Sequence, residues 1–222
     1  QVLSGVLKGK TTGMPICLLI YNEDARIKDY EHLKDLFRPG HADFSYFSKF
    51  KIYDYRGGGR ASGRETISRV AAAGLVEDIL KDININIYPI KIDKIEANII
   101  DHSFQNELSW HDRTNYDELT KHLTDIKNEG NSVGGIVEVK ITNIPAGLGD
   151  PVFEKLDANL AKAILSIGSV KGIEFGDGFQ LAKMTGSEAN DQMDKTGFRS
   201  NHSGGILGGI SNGNEIIFRF VV

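Results

Sequence analysis

The sequence predicts a mixed α/β (α+β) fold, sandwich-like in its layering. Two observations carry this. Apolar residues alternate in some segments (Ile83, Ile85, Ile87; Val137, Val139, Ile141) and follow helical spacing in others (Ile67, Val70, Ala71, Leu75; Leu119, Leu123, Ile126). These segments interleave, with some returns of hairpin length, which excludes a regular parallel winding. A chain of 222 residues, 40% hydrophobic and 25% charged, can also bury a sizeable core, because about 150 residues already bury roughly 70% of their unfolded surface.

Taken in order, Met14 to Tyr21 is an apolar run bounded by polar residues and reads as a buried strand. Residues 22–55 are polar and aromatic, with a turn at Pro39-Gly40. A helix is predicted from Glu65 to Leu80, and the patch Ala71-Ala72-Ala73-Gly74 lets it approach a neighbour. Ile83, Ile85 and Ile87 alternate with asparagines as a half-buried strand that Pro89 ends. Residues 92–116 carry the least pattern and read as a surface excursion. A helical face at Leu119, Leu123 and Ile126 stops at Gly130. The alternation from Val133 to Ile141 is a strand, its Gly134-Gly135 marking a bulge or close packing. Asp150-Pro151 predicts the start of a helix through Leu156, Leu160, Ile164 and Ile167. Strands at 170–175 and 216–222 flank the glycine-rich run Gly204–Gly209.

The net charge of −4 argues against nucleic acid as a partner, since such binders carry basic domains. No apolar run approaches the roughly 20 residues of a membrane span, and no signal peptide precedes Val2, so the reading is cytoplasmic. Cys17, the only cysteine, lies in the run Ile16–Ile20 and is expected to be a buried structural thiol. No His/Cys cluster suggests a metal.

The most informative stretch runs from Arg56 through Gly57-Gly58-Gly59-Arg60-Ala61-Ser62-Gly63-Arg64-Glu65 to Thr66. The glycines permit close backbone approach to a ligand. The arginines suit phosphate and carboxylate. Ser62-Gly63-Arg64-Glu65 reads as a capping box, so a helix N-terminus faces the same space. Together these predict a preorganised site for a small anion. In Arg38-Pro39-Gly40-His41-Ala42-Asp43 the turn presents Arg38 and His41 together, and Asp43 could orient one imidazole nitrogen. His41 is then either a surface-loop histidine or a general acid for an anion gripped by Arg38. His32, His102, His111 and His122 lie in polar stretches and read as solvated. The glycines from Gly204 to Gly209 either pack under a sheet or line a flat cofactor; neither a Rossmann fingerprint nor a P-loop is present.

Together these segments resemble the chorismate synthase family. The resemblance rests on Phe37-Arg38-Pro39-Gly40-His41-Ala42-Asp43, on Tyr55 through Thr66 followed by Arg69-Val70-Ala71, and on Ile144-Pro145-Ala146-Gly147-Leu148-Gly149. Lys155-Leu156-Asp157-Ala158, Val170-Lys171-Gly172-Ile173-Glu174 and Ser200-Asn201 through Gly213 extend it over the whole chain, most weakly over residues 92–128. The resemblance implies a β-α-β sandwich with helices between or against mixed or antiparallel sheets. It also implies a carbon–oxygen lyase of the shikimate pathway of aromatic amino acid biosynthesis. That enzyme eliminates phosphate (trans-1,4) from 5-enolpyruvylshikimate 3-phosphate to give chorismate. Reduced FMN is required, with NADPH as the candidate indirect reductant, and the assembly is a homotetramer.

Carried over by position, His41 is the acid, Arg38 and Arg64 bind substrate, and Arg60, Ala61, Ser62, Gly168, Ser169 and Gly208 contact FMN. Ala61 stands where the family usually has serine, and Gly168-Ser169 where it usually has Asn-Ala. The family's opening Gly-Glu-Ser-His-Gly segment and its later Lys-Pro and Arg-(His)-Asp-Pro motifs have no counterpart in the sequence. Residues 1–222 are therefore expected to form a single domain incomplete at both ends. The competing readings are a catalytically inactive flavin- or phosphate-binding fragment and a purely structural one.

Overall fold

The structure is a computed structural model that describes residues 1–23, 27–56 and 62–222. They fall into two units, Gln1–Ile79 and Leu80–Val222.

The first unit is built from short elements. Strands β1 (Val2–Ser4) and β4 (Cys17–Leu18) pair antiparallel, and β2 (Val6–Leu7) returns on β3 (Lys10–Thr11). The strand predicted from Met14 to Tyr21 thus shrinks to two residues, and Cys17 is exposed rather than buried. The reason is the pairing: a two-stranded ribbon has no second layer to cover its face. A 3₁₀ turn at Ile27–Leu33 precedes helix α1 (Asp43–Phe50), which the sequence reading missed. Lys51 closes α1 in the left-handed region (φ 58°), its N–H donating to the Phe47 carbonyl at 2.8 Å. What fixes α1 is aromatic packing: Phe37 meets Phe44, Phe47 and Tyr53 with ring centroids 5.7, 5.4 and 5.4 Å away. The helix predicted after the glycine loop is present as a 3₁₀ turn (Gly63–Glu65), α2 (Thr66–Val76) and a second 3₁₀ turn (Glu77–Ile79).

The second unit is organised by one antiparallel sheet. Its strands are β5 (Asn84–Ile92), β6 (Ile95–Glu96), β7 (Gly135–Thr142), β8 (Gly172–Phe175) and β13 (Ile216–Val221), in the order β6-β5-β7-β13-β8. The last strand is thus paired on both sides, Phe218 facing Val139 and Phe175. Between these strands lie α3 (Tyr116–Asn128), α4 (Leu156–Leu165), the short α5 (Gly186–Ala189) and the hairpins β9 (Met193–Asp194)/β10 (Gly197–Phe198) and β11 (Ile206–Leu207)/β12 (Ile210–Ser211). Alternate side chains Val139, Ile141, Ile216 and Phe218 bury on one sheet face with Ile206, and Leu156, Leu160 and Ile164 of α4 pack against them.

Four expectations change here. Pro89 does not end its strand; β5 shifts register between Pro89 and Lys91 and continues to Ile92. Ile85 and Ile87 are exposed, and the buried side chain of β5 is Tyr88. Residues 92–116 are no surface excursion, because Trp110, His111 and Asp112 are buried. Asp112 anchors them, accepting the amides of Asn98, Ile99 and Thr114. Finally, Asp150-Pro151 does not start a helix: α4 begins at Leu156, whose amide is taken by the Gly209 carbonyl at 2.8 Å. The close approach predicted at Gly134-Gly135 is real, as a Cβ on Gly134 would meet the Val222 carbonyl at 2.5 Å.

Candidate functional site

The most concentrated chemistry lies where the Pro39-Gly40 turn (Gly40 φ 70°) folds Arg38 back over the start of α1. The His41 amide donates to the Arg38 carbonyl at 3.2 Å and closes the turn. Asp43, the first residue of α1, is 6% exposed and binds both neighbours. Its Oδ2 accepts Arg38 Nε at 2.8 Å and the Arg38 amide at 3.2 Å, and its Oδ1 accepts Arg38 Nη2 at 2.9 Å. Oδ1 also lies 2.5 Å from His41 Nδ1. Arg38 Nη2 is 3.1 Å from both imidazole nitrogens. Hydrogen bonding to Arg38 outweighs desolvation and holds the Asp43 carboxyl far below the usual carboxylate range; the same bond raises Arg38. The Tyr53 hydroxyl, donated to the Leu36 carbonyl at 3.1 Å, stands 3.4 Å from Asp43 Oδ2.

The structure therefore brings Arg38 and His41 together, as the sequence predicted. Arg38 Nη1 has no partner among the described residues and remains a donor for an anion. Behind the cluster, the Tyr53 ring helps to wall a cavity of about 370 Å³, lined also by Lys34, Asp35, Phe37, Phe47 and Tyr55.

The glycine-arginine stretch resolves unevenly. Gly57 to Gly59, Arg60 and Ala61 lie outside the described residues. Arg56 is not free for an anion, because Asp54 grips it at 2.7 Å through both Nε and Nη2. Ser62 caps the helix start but without the reciprocal box: its Oγ accepts the Arg64 amide at 3.3 Å, while Glu65 pairs with Arg69 at 2.8 Å. A one-turn reach back to Ser62 loses here to an i,i+4 ion pair. The reciprocal capping box stands instead at Thr185 and Glu188 of α5. The Arg64 guanidinium is exposed and has no partner among the described residues, and no contact joins it to Arg38 or His41.

In the second unit, Gly168 and Ser169 form an exposed turn after α4, with Ser169 at φ 75°. Gly208 sits in the β11/β12 hairpin at φ 61°. Since Gly209 caps the first residue of α4, the hairpin and the Gly168 turn lie at opposite ends of that helix, about 15 Å apart for ten residues. A Cβ on Gly168 or Gly208 would meet nothing within 4 Å. Gly204, Gly205 and Gly209 differ: a Cβ on any of them would strike Gly176, Glu215 or Lys155. The glycine run thus splits into packing positions and one open position. Within the second unit, the backbone at Gly208 and at Gly168 is open to close approach.

Sequence reasoning missed several residues. His202 Nδ1 lies 2.6 Å from Asp177, twenty-five residues away in the chain. Asp191 takes the amides of His202 and Ser203 at 2.7 and 2.9 Å and the Ser200 hydroxyl at 2.7 Å, fixing the Ser200–Gly205 strand entry. His111 is buried against Tyr88 and His102, with ring centroids 5.2 and 4.6 Å away, and is not solvated. No spacing rule flags such long-range partners. Among the described residues no group of three or more His, Cys, Asp or Glu could hold a metal, and no helix is long and apolar enough to cross a membrane.

Against known proteins, the family model described as chorismate synthase matches residues 1–222. The chain is 49% identical to a chorismate synthase of Desulfosudis oleivorans over 225 residues, covering all of this chain and 64% of that protein. It is 48% identical to a chorismate synthase of Aliarcobacter butzleri, covering 97% of this chain and 62% of that protein. It thus spans less than two thirds of the length of these relatives. A crystal structure of chorismate synthase superposes with a TM-score of 0.81 at 31% identity, covering all of this chain and 70% of that one.

Proposed function

The chain belongs to the chorismate synthase family, and from that premise we propose that the intact protein eliminates phosphate from 5-enolpyruvylshikimate 3-phosphate to give chorismate. The observation that carries the reading is the Arg38–His41–Asp43 cluster: a cation with a free donor edge fixed beside a histidine whose Nδ1 faces a carboxylate. In this reading Arg38 binds the substrate anion through Nη1 and orients it. Arg64, exposed and unpaired among the described residues, adds charge to the same field. His41 holds the proton that acid catalysis needs, with Asp43 keeping Nδ1 protonated and the ring in place.

Ser62, Gly168, Ser169 and Gly208, with Arg60 and Ala61, would hold reduced FMN. When bound, that cofactor supplies transient electron density that assists departure of the phosphate. NADPH as indirect reductant, a homotetramer, a single domain spanning residues 1–222 and a cytoplasmic location complete the proposal. The test is an anaerobic assay of the intact protein with photoreduced FMN and the enolpyruvyl substrate, following phosphate release. Folded protein that releases no phosphate under these conditions would sink the reading.

A further inference from the structure

Arg38 and His41 share one buried carboxylate, and the arrangement does more than hold them in place. Asp43 Oδ1, 2.5 Å from His41 Nδ1, offers that nitrogen an acceptor, while Arg38 Nη2 stands 3.1 Å from both ring nitrogens. Two opposed fields thus act on His41. One comes from the Arg38 guanidinium and the other from the Asp43 carboxylate, both within hydrogen-bond distance of the ring. The charged and titratable groups facing this cluster are Arg38, Asp43 and Tyr53, with Tyr30 close enough to act on Arg38. Among the described residues no second carboxylate is bonded to His41, so there Asp43 alone balances the arginine.

We infer that Asp43 is a positioning residue that keeps His41 able to carry a proton beside Arg38, and that it turns the unpaired Nη1 edge of Arg38 outward. Asp43 occupies Nε and one Nη2 proton of Arg38, so only Nη1 is left fully free to meet an anion. An anion engaging Arg38 also offsets the positive charge that stands beside His41. Substrate arrival and protonation of the acid are therefore coupled through a shared carboxylate. This deepens the proposed function and rests on its assignment of His41 and Arg38.

The experiment follows the Cε1–H signal of His41 by NMR across pH in the intact protein, for wild type, Asp43→Asn and Arg38→Gln. Losing the carboxylate charge in the isosteric Asp43→Asn variant lowers the His41 midpoint by about one pH unit or more, the scale of an opposite charge within 4–6 Å. Arg38→Gln raises it. A role confined to packing would not move the two variants in opposite directions. An unchanged midpoint in folded Asp43→Asn overturns the inference. If Asp43→Asn does not fold, a midpoint that stays or falls in Arg38→Gln overturns it instead. The NMR readout needs no turnover, so opposed shifts in the two variants beside a wild type that releases no phosphate would refute the proposed function and leave the positioning intact.

Discussion

The Tyr88 hydroxyl donates to Glu138 Oε1 at 2.7 Å across the β5–β7 ladder, and Arg219 Nε from β13 donates to Oε2 of the same carboxylate at 2.7 Å. Glu174 on β8 stands opposite Arg219 at 3.6 Å, so one polar row crosses four strands on the face away from the α4 core. Burial, followed by the hydrogen bond to Glu138, pushes the Tyr88 hydroxyl well above its ordinary range. The row ties the sheet together through partners on separate strands, with Tyr88 and Glu138 buried and Arg219 and Glu174 half-buried.

Glu138→Ala is expected to destabilise the fold by about 3–5 kcal/mol, because it strands a part-buried guanidinium and a buried hydroxyl together. Urea denaturation measures it. A loss under about 1 kcal/mol would show that water replaces the carboxylate at little cost.

How far this was legible depended on the range of the interaction. Strand alternation at Val137, Val139 and Ile141 and the helical face at Leu119 were readable, because the signal lies within one element. The Arg38–His41 turn was readable for the same reason: Pro39-Gly40 fixes it locally. The polar row was not, since Tyr88 and Glu138 are fifty residues apart and periodicity assigns charged residues to solvent by default. The buried Trp110–Asp112 segment escaped likewise, because it is held by side-chain-to-backbone bonds rather than by any repeat. At the glycine run, composition alone could not separate Gly208 from Gly204; what surrounds each backbone atom decides that.

His41→Ala in the intact protein is expected to lower turnover by about 10²–10⁴-fold with the fold retained, the range of a positioned general acid. Its side chain is half-buried, more exposed than that of Asp43. Steady-state phosphate release with reduced FMN reports it, and near wild-type turnover would remove His41 from the chemistry.

Arg64→Ala should weaken the substrate more than FMN. Its guanidinium stands exposed and without a partner among the described residues, in the 3₁₀ turn that opens the helix. Losing a charge-assisted contact of about 1.5–3 kcal/mol corresponds to about a ten- to hundredfold loss of affinity. Separate titrations of the two ligands decide it; a larger loss for FMN would reassign the side chain.

Asp191 gives a pH signature. Burial pushes its carboxyl up, but hydrogen bonds from Ser203, Ser200 and His202 overcome this and hold it at about 2. Its folded value lies below the ordinary value of about 3.9. The stability it contributes is therefore full above about pH 4 and is lost as pH falls through about 2. Asp191→Asn should remove about 2 kcal/mol at neutral pH and flatten the dependence of stability between pH 4 and 2. Identical acid slopes in variant and wild type would show that the carboxylate is not what holds residues 200–203.

The glycines at 204 and 208 should separate under the same substitution. Both sit at positive φ, 66° and 61°, where an alanine is strained by about 1–2 kcal/mol in either case. At Gly204 the new methyl would also strike the Gly176 amide and the Ile217 carbonyl, which belong to paired backbone and have little room to retreat. Gly204→Ala is therefore expected to cost about 2–5 kcal/mol of stability. At Gly208 the methyl points into open space, so Gly208→Ala should fold with only the strain penalty. If that open space is where the flavin approaches, the same methyl blocks it, and FMN affinity should fall at least about tenfold, or about 1.4 kcal/mol. Thermal unfolding and an FMN titration on each variant give the four numbers needed. A Gly208→Ala protein that binds FMN as wild type does would show that the β11/β12 hairpin bends for its own geometry and carries no cofactor contact.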